Sequence, residues 1–455
     1  MIYPHILKNI IYPLVLIRHP HEERVYSHLR LLEKSQWWKR SELEHFQQKR
    51  LQALLKHAYE NVPYHHKIFR KLELRPDDIK SIDNLQKLPI LTKEHIRNNL
   101  NDLTAKNYPK EKLIPSATGG STGEPMRFFV DKKWGAWNMA AAYREWGWAG
   151  YNLGDKMVYL WGAPQDLSQQ AELKTRIYNL ARRIIWLDAF NMTEKTFEEY
   201  VRILRKFKPK VINAYTSAIY LVARYMEKRG IDDIRPKAIL TSCEMLFDYQ
   251  REIIERVFGC EVFDYYSGRD TTLHAGECPE HSGYHLTIEN AVIEFTKDDE
   301  HVAPGELGKI IVTDLSNYAM PFIRYEIGDL GVPSDEICSC GRGLPLLQSI
   351  KGRILDCIIT PEGKYLTGEF FPAIFADYDI KGIKEFQIIQ KRKDKLSIKL
   401  VKGNDFSDED FSLYLNIIRK QVGEEMKIDI EFVKSIPLTR SGKHRPTISE
   451  VEMDI

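Results

Sequence analysis

The sequence lacks the features that mark disulfide-stabilised or nucleic-acid-binding proteins. It has six cysteines in 455 residues, too few for the disulfide framework of a secreted domain. Lys and Arg number 66 against 64 Asp and Glu, so no overall basic field would attract nucleic acid. Internal repeats and low-complexity tracts are also absent. The composition, 43% hydrophobic and 29% charged, is that of an ordinary globular protein, and we expect a cytoplasmic one.

Long apolar runs are missing as well. The most apolar stretch near the N-terminus, 10–17, contains Pro13 and is followed by Arg18. A membrane-spanning helix needs about 20 apolar residues, and the stretch lacks a small-residue cleavage site. We expect it to pack in a core or a partner groove, and weak contact with a membrane surface is the alternative.

The chain is long enough for two or three domains, and its pattern predicts an α/β fold. Between 157 and 265, apolar strand patterns alternate with amphipathic helix patterns, which favours a parallel, doubly wound sheet. After Cys278, short strand patterns joined by Gly and Pro turns favour an antiparallel subdomain. The predicted strands include 157–161, 211–215, 238–241, 261–265, 285–288, 292–295, 309–312 and 322–325. We predict a large N-terminal domain over 1–352, with a helical part over 1–110, an α/β core over 111–275 and a β subdomain over 276–352, and then a small, mobile α+β domain over 353–455.

A loop rich in glycine and hydroxyl groups is the most informative local motif. It consists of Thr118, Gly119, Gly120, Ser121, Thr122 and Gly123. Glycines let backbone N–H groups approach a ligand closely, and a concave row of N–H groups binds anions. The loop is therefore a candidate phosphate cradle, although no Gly-Lys-Ser/Thr follows it as in a Walker loop. The alternative is an ordinary flexible turn.

Four further stretches, read in order with this loop, carry a family resemblance. They are Tyr265-Tyr266-Ser267-Gly268-Arg269-Asp270, Arg324-Tyr325-Glu326-Ile327-Gly328-Asp329, Gly352-Arg353-Ile354-Leu355-Asp356 and Pro437-Leu438-Thr439-Arg440-Ser441-Gly442-Lys443. As an ordered set they resemble the adenylate-forming superfamily of acyl- and aryl-coenzyme A ligases. The stretches 61–64, 319–325 and 340–342 resemble its phenylacetate–coenzyme A ligase branch, which includes CapK-type proteins of capsular polysaccharide biosynthesis.

The resemblance implies a role for each motif. The loop from Thr118 to Gly123 would hold the β- and γ-phosphates of ATP, and Tyr266 would stack on adenine. Asp270 would hold magnesium, since a hard cation prefers carboxylate oxygen, and Asp329 would accept hydrogen bonds from both ribose hydroxyls. The resemblance assigns the remaining roles as follows: Arg353 approaches the ribose or phosphates, Asp356 forms the hinge before the small domain, and Lys443 stabilises the negative charge that builds at the α-phosphate.

The sequence also departs from the family pattern. Ser267-Gly268 reverses the usual Gly-Ser order, and Asp270 stands where the family usually has Glu. Leu355 replaces the first of two acidic residues common at the hinge, and Glu124 follows the glycine loop where many relatives carry Lys. None of these changes removes a functional group that adenylation requires.

Two short-spaced pairs of residues predict a structural zinc site that is independent of nucleotides. Cys278 and His281 form one pair, and Cys338 and Cys340 the other, each in a turn rich in Gly or Pro. Together they supply a Cys3His set, which binds zinc tetrahedrally with no open position. His285 is an alternative to His281. The competing interpretation is three unrelated thiols and a surface histidine, because the Cys-x-Cys spacing is tighter than usual.

These observations predict an ATP-dependent ligase that activates a small carboxylic acid through an acyl-adenylate. The acceptor stays open between coenzyme A, an amine, and a sugar hydroxyl or amine. One alternative is an acyl or aminoacyl ligase of surface-polysaccharide synthesis that does not use coenzyme A. Another is a nucleotide-binding protein that has lost turnover, although the presence of Asp329, Arg353 and Lys443 argues against it.

Overall fold

The computed structural model forms two compact units. The first comprises residues within 1–117, 126–153 and 265–351, and the second comprises residues within 118–125, 154–264 and 352–455. The structure describes residues 20–118, 126–162, 179–190, 192–297, 299–351, 358–366, 370–371, 374, 382–403, 405–437 and 446–451. None of the helices in these ranges combines the length and the apolar character that a membrane crossing needs.

Helices make up the N-terminal part of the first unit. They are α1 (Pro20–Ser35), α2 (Arg40–Asn61), α3 (Pro63–Lys71), α4 (Lys93–Asn98), α5 (Leu100–Leu103) and α6 (Lys132–Trp148). Val62 has extended backbone between α2 and α3, and Pro63 starts α3 at a position where its missing N–H has no cost. Asp131 begins α6 by accepting a hydrogen bond from the backbone N–H of Trp134. The tryptophans of α6 are buried, as expected of core side chains.

Antiparallel strands complete the first unit, as the turn-rich sequence predicts. They are β8 (His274–Glu277), β9 (Tyr284–Leu286), β10 (Ala291–Lys297), β11 (Glu300–His301), β12 (Gly308–Asp314), β13 (Tyr325–Ser334) and β14 (Leu346–Lys351). Their order in the sheet is β11-β10-β12-β13-β14-β9-β8. The strand predicted over 322–325 was wrong for its first three residues. Arg324 has a positive φ of 51° and its buried guanidinium binds Glu294, so the strand starts only at Tyr325.

Parallel strands and their crossover helices form the first part of the second unit. The strands are β3 (Met157–Trp161), β4 (Ile184–Asp188), β5 (Val211–Tyr215), β6 (Ala238–Ser242) and β7 (Glu261–Ser267), in the order β7-β6-β5-β3-β4. The helices are α7 (Glu194–Phe207), α8 (Thr216–Lys228) and α9 (Asp248–Phe258). β5 is buried along its whole length, as a strand covered on both faces must be. β4 was not predicted; the other strands were. The last residues of β7, 265–267, pair with β8 and belong to the first unit.

A small α+β arrangement follows in the second unit. Its elements are β15 (Ile358–Ile359), β16 (Tyr365–Leu366), β17 (Ile383–Arg392), β18 (Lys395–Lys402), α10 (Asp408–Val422), β19 (Lys427–Phe432) and β20 (Thr447–Ser449). The sheet order is β19-β18-β17-β20, with β17 and β18 antiparallel and both outer strands parallel to their neighbours. The predicted α+β character of this part of the chain is confirmed. The division of the whole chain into a large domain and a lid remains a prediction.

Candidate active site and metal cluster

The glycine loop connects two paired strands. β1 (Ile114–Thr118) and β2 (Met126–Val130) form a two-stranded sheet, and Thr118 is the buried last residue of β1. Residues 119–125 lie outside the described part of the chain, so Gly119, Gly120, Ser121, Thr122 and Gly123 keep their predicted phosphate-binding role as a prediction. Arg353, Asp356 and Lys443 also lie outside the described residues, and their roles remain predictions too.

Tyr266 and Asp329 meet directly, although they are far apart in sequence. Tyr266 lies near the end of β7 and Asp329 on β13. The Tyr266 hydroxyl donates a hydrogen bond of 2.7 Å to Oδ2 of Asp329. Both side chains are half-buried, so each remains accessible from one side. The residue predicted to stack on adenine therefore orients the residue predicted to bind the ribose.

Asp270 is held in the same way by a residue that sequence reasoning missed. It lies in the loop after β7 and is buried. The hydroxyl of Tyr325, the fully buried first residue of β13, donates a 2.7 Å hydrogen bond to Oδ2 of Asp270. Tyr325 and Asp329 are four residues apart, and Gly328 between them has a positive φ of 94°. The motif Tyr-x-x-Gly-Asp thus places on one strand both the partner of Asp270, Tyr325, and the partner of Tyr266, Asp329. The resemblance gave Tyr325 no role.

Gly268 packs against the Asp270 carboxylate. A Cβ atom at this position would lie 3.0 Å from Oδ1 of Asp270 and 3.3 Å from Oγ1 of Thr271. Contacts this short are tighter than ordinary van der Waals packing, so a side chain here would displace the carboxylate. The order Ser267-Gly268, which departs from the family pattern, therefore leaves room for the shorter Asp270 side chain.

A buried carboxylate anchors the loop that carries Asp270. Asp314, at the end of β12, accepts hydrogen bonds from the backbone N–H and hydroxyl of Thr272, both at 2.9 Å. It also accepts one from the indole N–H of Trp134 at 2.8 Å. Burial raises the pKa of Asp314, and these donors oppose that shift. The loop that follows β7 is therefore tied both to the sheet and to α6.

The cysteines predicted to bind zinc come together with a different histidine. Cys278, Cys338 and Cys340 cluster with His285, and the four candidate donor atoms lie within 4.8 Å of one another. His281, the predicted ligand, is not in this cluster, because its positive φ of 45° turns the ring toward Glu277, with Nδ1 3.3 Å from Oε2. The structure therefore corrects the histidine from His281 to His285, the alternative that the sequence left open.

The side chains of this cluster have pKa values shifted in different directions. Burial raises the pKa of the Cys278 thiol to about 12 and, together with the positive charge of Arg342, lowers that of His285 to about 4. Burial acts upward on the pKa of Cys338 as well, but hydrogen bonds from Ser282 and its other neighbours outweigh it and lower the pKa. Near pH 7 and without an ion, His285 is therefore neutral, whereas Cys278 is a thiol that would have to lose its proton to bind a metal.

Comparison with known proteins puts these observations in a family context. The family model of the CapK C-terminal domain matches residues 358–450. The chain is similar to Protein CapK of Staphylococcus aureus, with 28% identity over 427 residues and 90% coverage of both chains. It is also similar to the phenylacetate-coenzyme A ligase of Pseudomonas putida, with 27% identity over 70% of this chain and 72% of that protein. The resemblance seen in the sequence is confirmed: the chain is similar over most of its length to CapK-type proteins and phenylacetate–coenzyme A ligases. These relatives support the predicted class, an AMP-forming ligase.

Solved structures agree with this family in fold. A 2-hydroxyisobutyryl-CoA ligase in complex with 2-HIB-AMP and CoA in the thioesterification state matches with a TM-score of 0.62 and 18% identity, covering 91% of both chains. The same ligase in the postadenylation state with R3-HIB-AMP matches with a TM-score of 0.60 and 19% identity, covering 92% of this chain and 91% of that one. The predicted fold class is confirmed: an α/β protein with a large N-terminal part and a small α+β C-terminal part. The mobility of the small part stays a prediction.

Proposed function

We propose that this adenylate-forming protein uses ATP to activate a carboxylic acid as an acyl-adenylate and then transfers the acyl group to coenzyme A. The observation that carries the proposal is the pair of bonds Tyr266–Asp329 and Tyr325–Asp270 within the first unit. They hold in fixed positions the two carboxylates that the resemblance assigns to ribose and magnesium. Similarity to phenylacetate-coenzyme A ligases supports coenzyme A as the acceptor.

The ribose assignment fits the chemistry of Asp329. An ionised carboxylate accepts about four hydrogen bonds through its two oxygens. Tyr266 is bound to Oδ2, which leaves lone pairs on Oδ1 for two adjacent hydroxyl groups. Half-burial leaves the side chain accessible to a ligand while limiting competition from water. The ring of Tyr266, oriented by the same bond, offers a flat apolar face to a base.

The magnesium assignment fits the chemistry of Asp270. Its buried carboxylate offers the hard oxygen ligand that Mg²⁺ prefers, and Tyr325 fixes its orientation. Because Mg²⁺ keeps most of its waters and takes few protein ligands, one positioned carboxylate beside nucleotide phosphates is a suitable donor set. When bound, the ion neutralises negative charge on the phosphates. The protein itself holds the Asp270 carboxylate in place. The glycine at position 268 leaves space beside that carboxylate, because it has no side chain.

The other motifs complete the proposed reaction. A carboxylate oxygen of the acid attacks the α-phosphorus of ATP, the bond to the bridging oxygen breaks, and pyrophosphate leaves. The loop from Thr118 to Gly123 would hold the leaving phosphates, while Arg353 and Lys443 would neutralise the charge that develops. The segment 353–455 would then turn at Asp356 to admit the acceptor, since one hinge residue can absorb such a motion. A cytoplasmic location, where ATP is supplied, is part of the proposal.

The CapK match favours a second acceptor chemistry. The matched family model covers 358–450, in the part of the chain that would act as the lid. The relative with 90% coverage of both chains is also named CapK, whereas the Pseudomonas putida ligase matches 70% of this chain. This supports, as the alternative, transfer to an amine or hydroxyl in surface-polysaccharide synthesis without coenzyme A.

A pyrophosphate-release screen tests the proposal and separates the alternatives. Aryl, fatty and amino acids are each incubated with ATP and magnesium, with and without coenzyme A, and acyl-coenzyme A is sought by mass spectrometry. We expect one class of acid to release pyrophosphate and to give a thioester. Release with no thioester from the same acid overturns coenzyme A as acceptor and favours the amine or hydroxyl alternative. A folded preparation that binds ATP but releases no pyrophosphate with any acid contradicts the enzymatic proposal.

A further inference from the structure

We propose that Cys278, His285, Cys338 and Cys340 form a closed structural zinc site that fastens the α1–α2 junction to the antiparallel sheet of the first unit. The site is separate from the proposed adenylation chemistry. Cys278 begins the turn after β8, His285 lies on β9, and the other two cysteines lie between β13 and β14. Cys338 lies 60 residues after Cys278 and Cys340 lies 55 residues after His285, so the sheet brings the two parts of the cluster together.

The distances between donor atoms match a tetrahedral zinc ion. With Zn–S near 2.3 Å and Zn–N near 2.0 Å, ideal geometry separates two sulfurs by about 3.8 Å and sulfur from nitrogen by about 3.5 Å. The Sγ atoms of Cys278 and Cys338 are 3.6 Å apart, and Sγ of Cys340 is 3.3 Å from Nε2 of His285. A disulfide would need sulfurs about 2.05 Å apart. The spacing therefore suits thiolates around an ion and excludes an S–S bond.

Burial and ligand type indicate zinc in a structural role. Cys278, His285 and Cys338 are buried and Cys340 is half-buried, and four protein ligands fill the tetrahedral coordination of zinc, which leaves no position for water or substrate. Thiolate and imidazole ligands in a tetrahedral arrangement select zinc over magnesium or calcium. Three thiolates and one zinc ion carry a net charge of about −1. The positive charge of Arg342 lies near His285 and offsets it.

The turns around the cysteines have the form of metal knuckles. The backbone N–H of Gly341, whose φ is 80°, donates to the carbonyl of Cys338 at 3.2 Å, and that of Arg342 donates to Sγ of Cys340 at 3.5 Å. In the other turn, the backbone N–H of His281 donates to the carbonyl of Cys278 at 3.0 Å. His281 thus closes the turn through its backbone and leaves ligation to His285. Backbone donors to sulfur stabilise thiolates and fix their direction.

The chain immediately after Cys340 lies against the junction between α1 and α2. The Gly343 N–H donates to the carbonyl of Gln36 at 2.8 Å, and Arg342 Nε donates to the side-chain oxygen of Gln36 at 3.1 Å. The approach is so close that a Cβ atom on Gly343 would lie on the carbonyl oxygen of Trp38. Fixing Cys340 by a metal bond therefore fixes the residues that hold 36–38. Loss of the ion should loosen this junction first.

Elemental analysis and variants test the site directly. Protein purified without chelators should contain one zinc per chain. His285→Ala and Cys340→Ser should lose the metal and melt at least about 5 °C lower. His281→Ala and Cys260→Ser, matched controls for histidine and thiol, should keep it. Loss of zinc in His281→Ala with retention in His285→Ala would overturn the ligand set.

A second measurement uses the wild-type protein, so it tests the site even if the variants do not fold. The wild-type protein is stripped of metal and reloaded with Co²⁺, and hydrogen exchange is followed with and without the ion. We expect the visible absorption of tetrahedral cobalt with thiolate charge transfer, and increased exchange over 36–43 in the stripped protein. A folded protein that contains no zinc as purified and gives no cobalt spectrum would refute the proposal. Neither readout depends on ligase activity, so the outcome is independent of the proposed reaction.

Discussion

Replacing Asp329 is the sharpest test of the nucleotide site. Asp329→Asn keeps the size of the side chain and one acceptor oxygen but removes the negative charge. In the proposed complex the carboxylate accepts from Tyr266 and from two ribose hydroxyls. The variant should therefore bind both ATP and AMP more weakly, since the ribose is common to both nucleotides.

The expected size of the effect follows from the number of bonds and from exposure. Hydrogen bonds to charged groups contribute about 1.5–3 kcal/mol each and neutral ones about 0.5–1.5. Losing the charge in two ribose bonds thus costs about 2 kcal/mol. Asp329 is half-exposed, so solvent reduces this figure, and a loss of about 10- to 30-fold in affinity is expected. Asp329→Ala, which removes both bonds, should cost roughly 3 kcal/mol or somewhat less.

Calorimetry with nucleotide analogues provides the assay. The wild type should bind 2′-deoxy-ATP and 3′-deoxy-ATP more weakly than ATP, and Asp329→Asn should discriminate among them much less. Tyr266→Phe is the matched control, because it keeps the ring and removes only the hydroxyl that orients the carboxylate. We expect that variant to lose roughly 2- to 10-fold in affinity. If Asp329→Ala folds with an unchanged Tm and binds ATP and AMP as the wild type does, the ribose assignment is wrong.

Three further predictions concern catalysis, the carboxylate proposed to bind magnesium, and the pH dependence of stability. Lys443→Ala should raise the activation free energy of pyrophosphate exchange by roughly several kcal/mol while ATP affinity changes little. Exchange at the wild-type rate in this variant would contradict the role, and Lys434→Ala, a change at an exposed lysine, is the control. Gly268→Ala would place a methyl group 3.0 Å from Oδ1 of Asp270, so the magnesium concentration for half-maximal exchange should rise roughly several-fold; an unchanged magnesium dependence would refute this packing argument. Burial lowers the pKa of His65 from its usual 6.5 to about 4. Between these two pH values the unfolded chain binds a proton that the folded chain does not, so the free energy of unfolding falls by up to about 3 kcal/mol as the pH drops from 6.5 to 4. Denaturant unfolding at several pH values should show a smaller fall in His65→Gln, and an equal fall in both proteins would show that another group is responsible.

The sequence by itself determined the local elements and the kind of chemistry. Apolar strands alternating with amphipathic helices were enough to predict the parallel sheet, because burial on both faces requires continuous apolar strands such as β5. The ordered motifs predicted an adenylate-forming ligase, and the resemblance that they carry proposed Tyr266, Asp270 and Asp329 as site residues. Each of these inferences depends on spacing along the chain, which a sequence records directly.

Only the tertiary structure decided which of these residues meet. Tyr325 binds Asp270 across 55 positions and Tyr266 binds Asp329 across 63, and no local pattern records such pairings. The cluster of Cys278, His285, Cys338 and Cys340 shows the same limit. The short spacing between Cys278 and His281 is typical of a metal knuckle and favoured His281 as the ligand. The backbone of His281 is left-handed in this tight turn, and its ring lies beside Glu277 instead. His285 instead lies on a strand, and the pairing of β9 with its neighbours brings it to the cysteines. Local spacing determines which turns form, whereas strand pairing determines which side chains share a site.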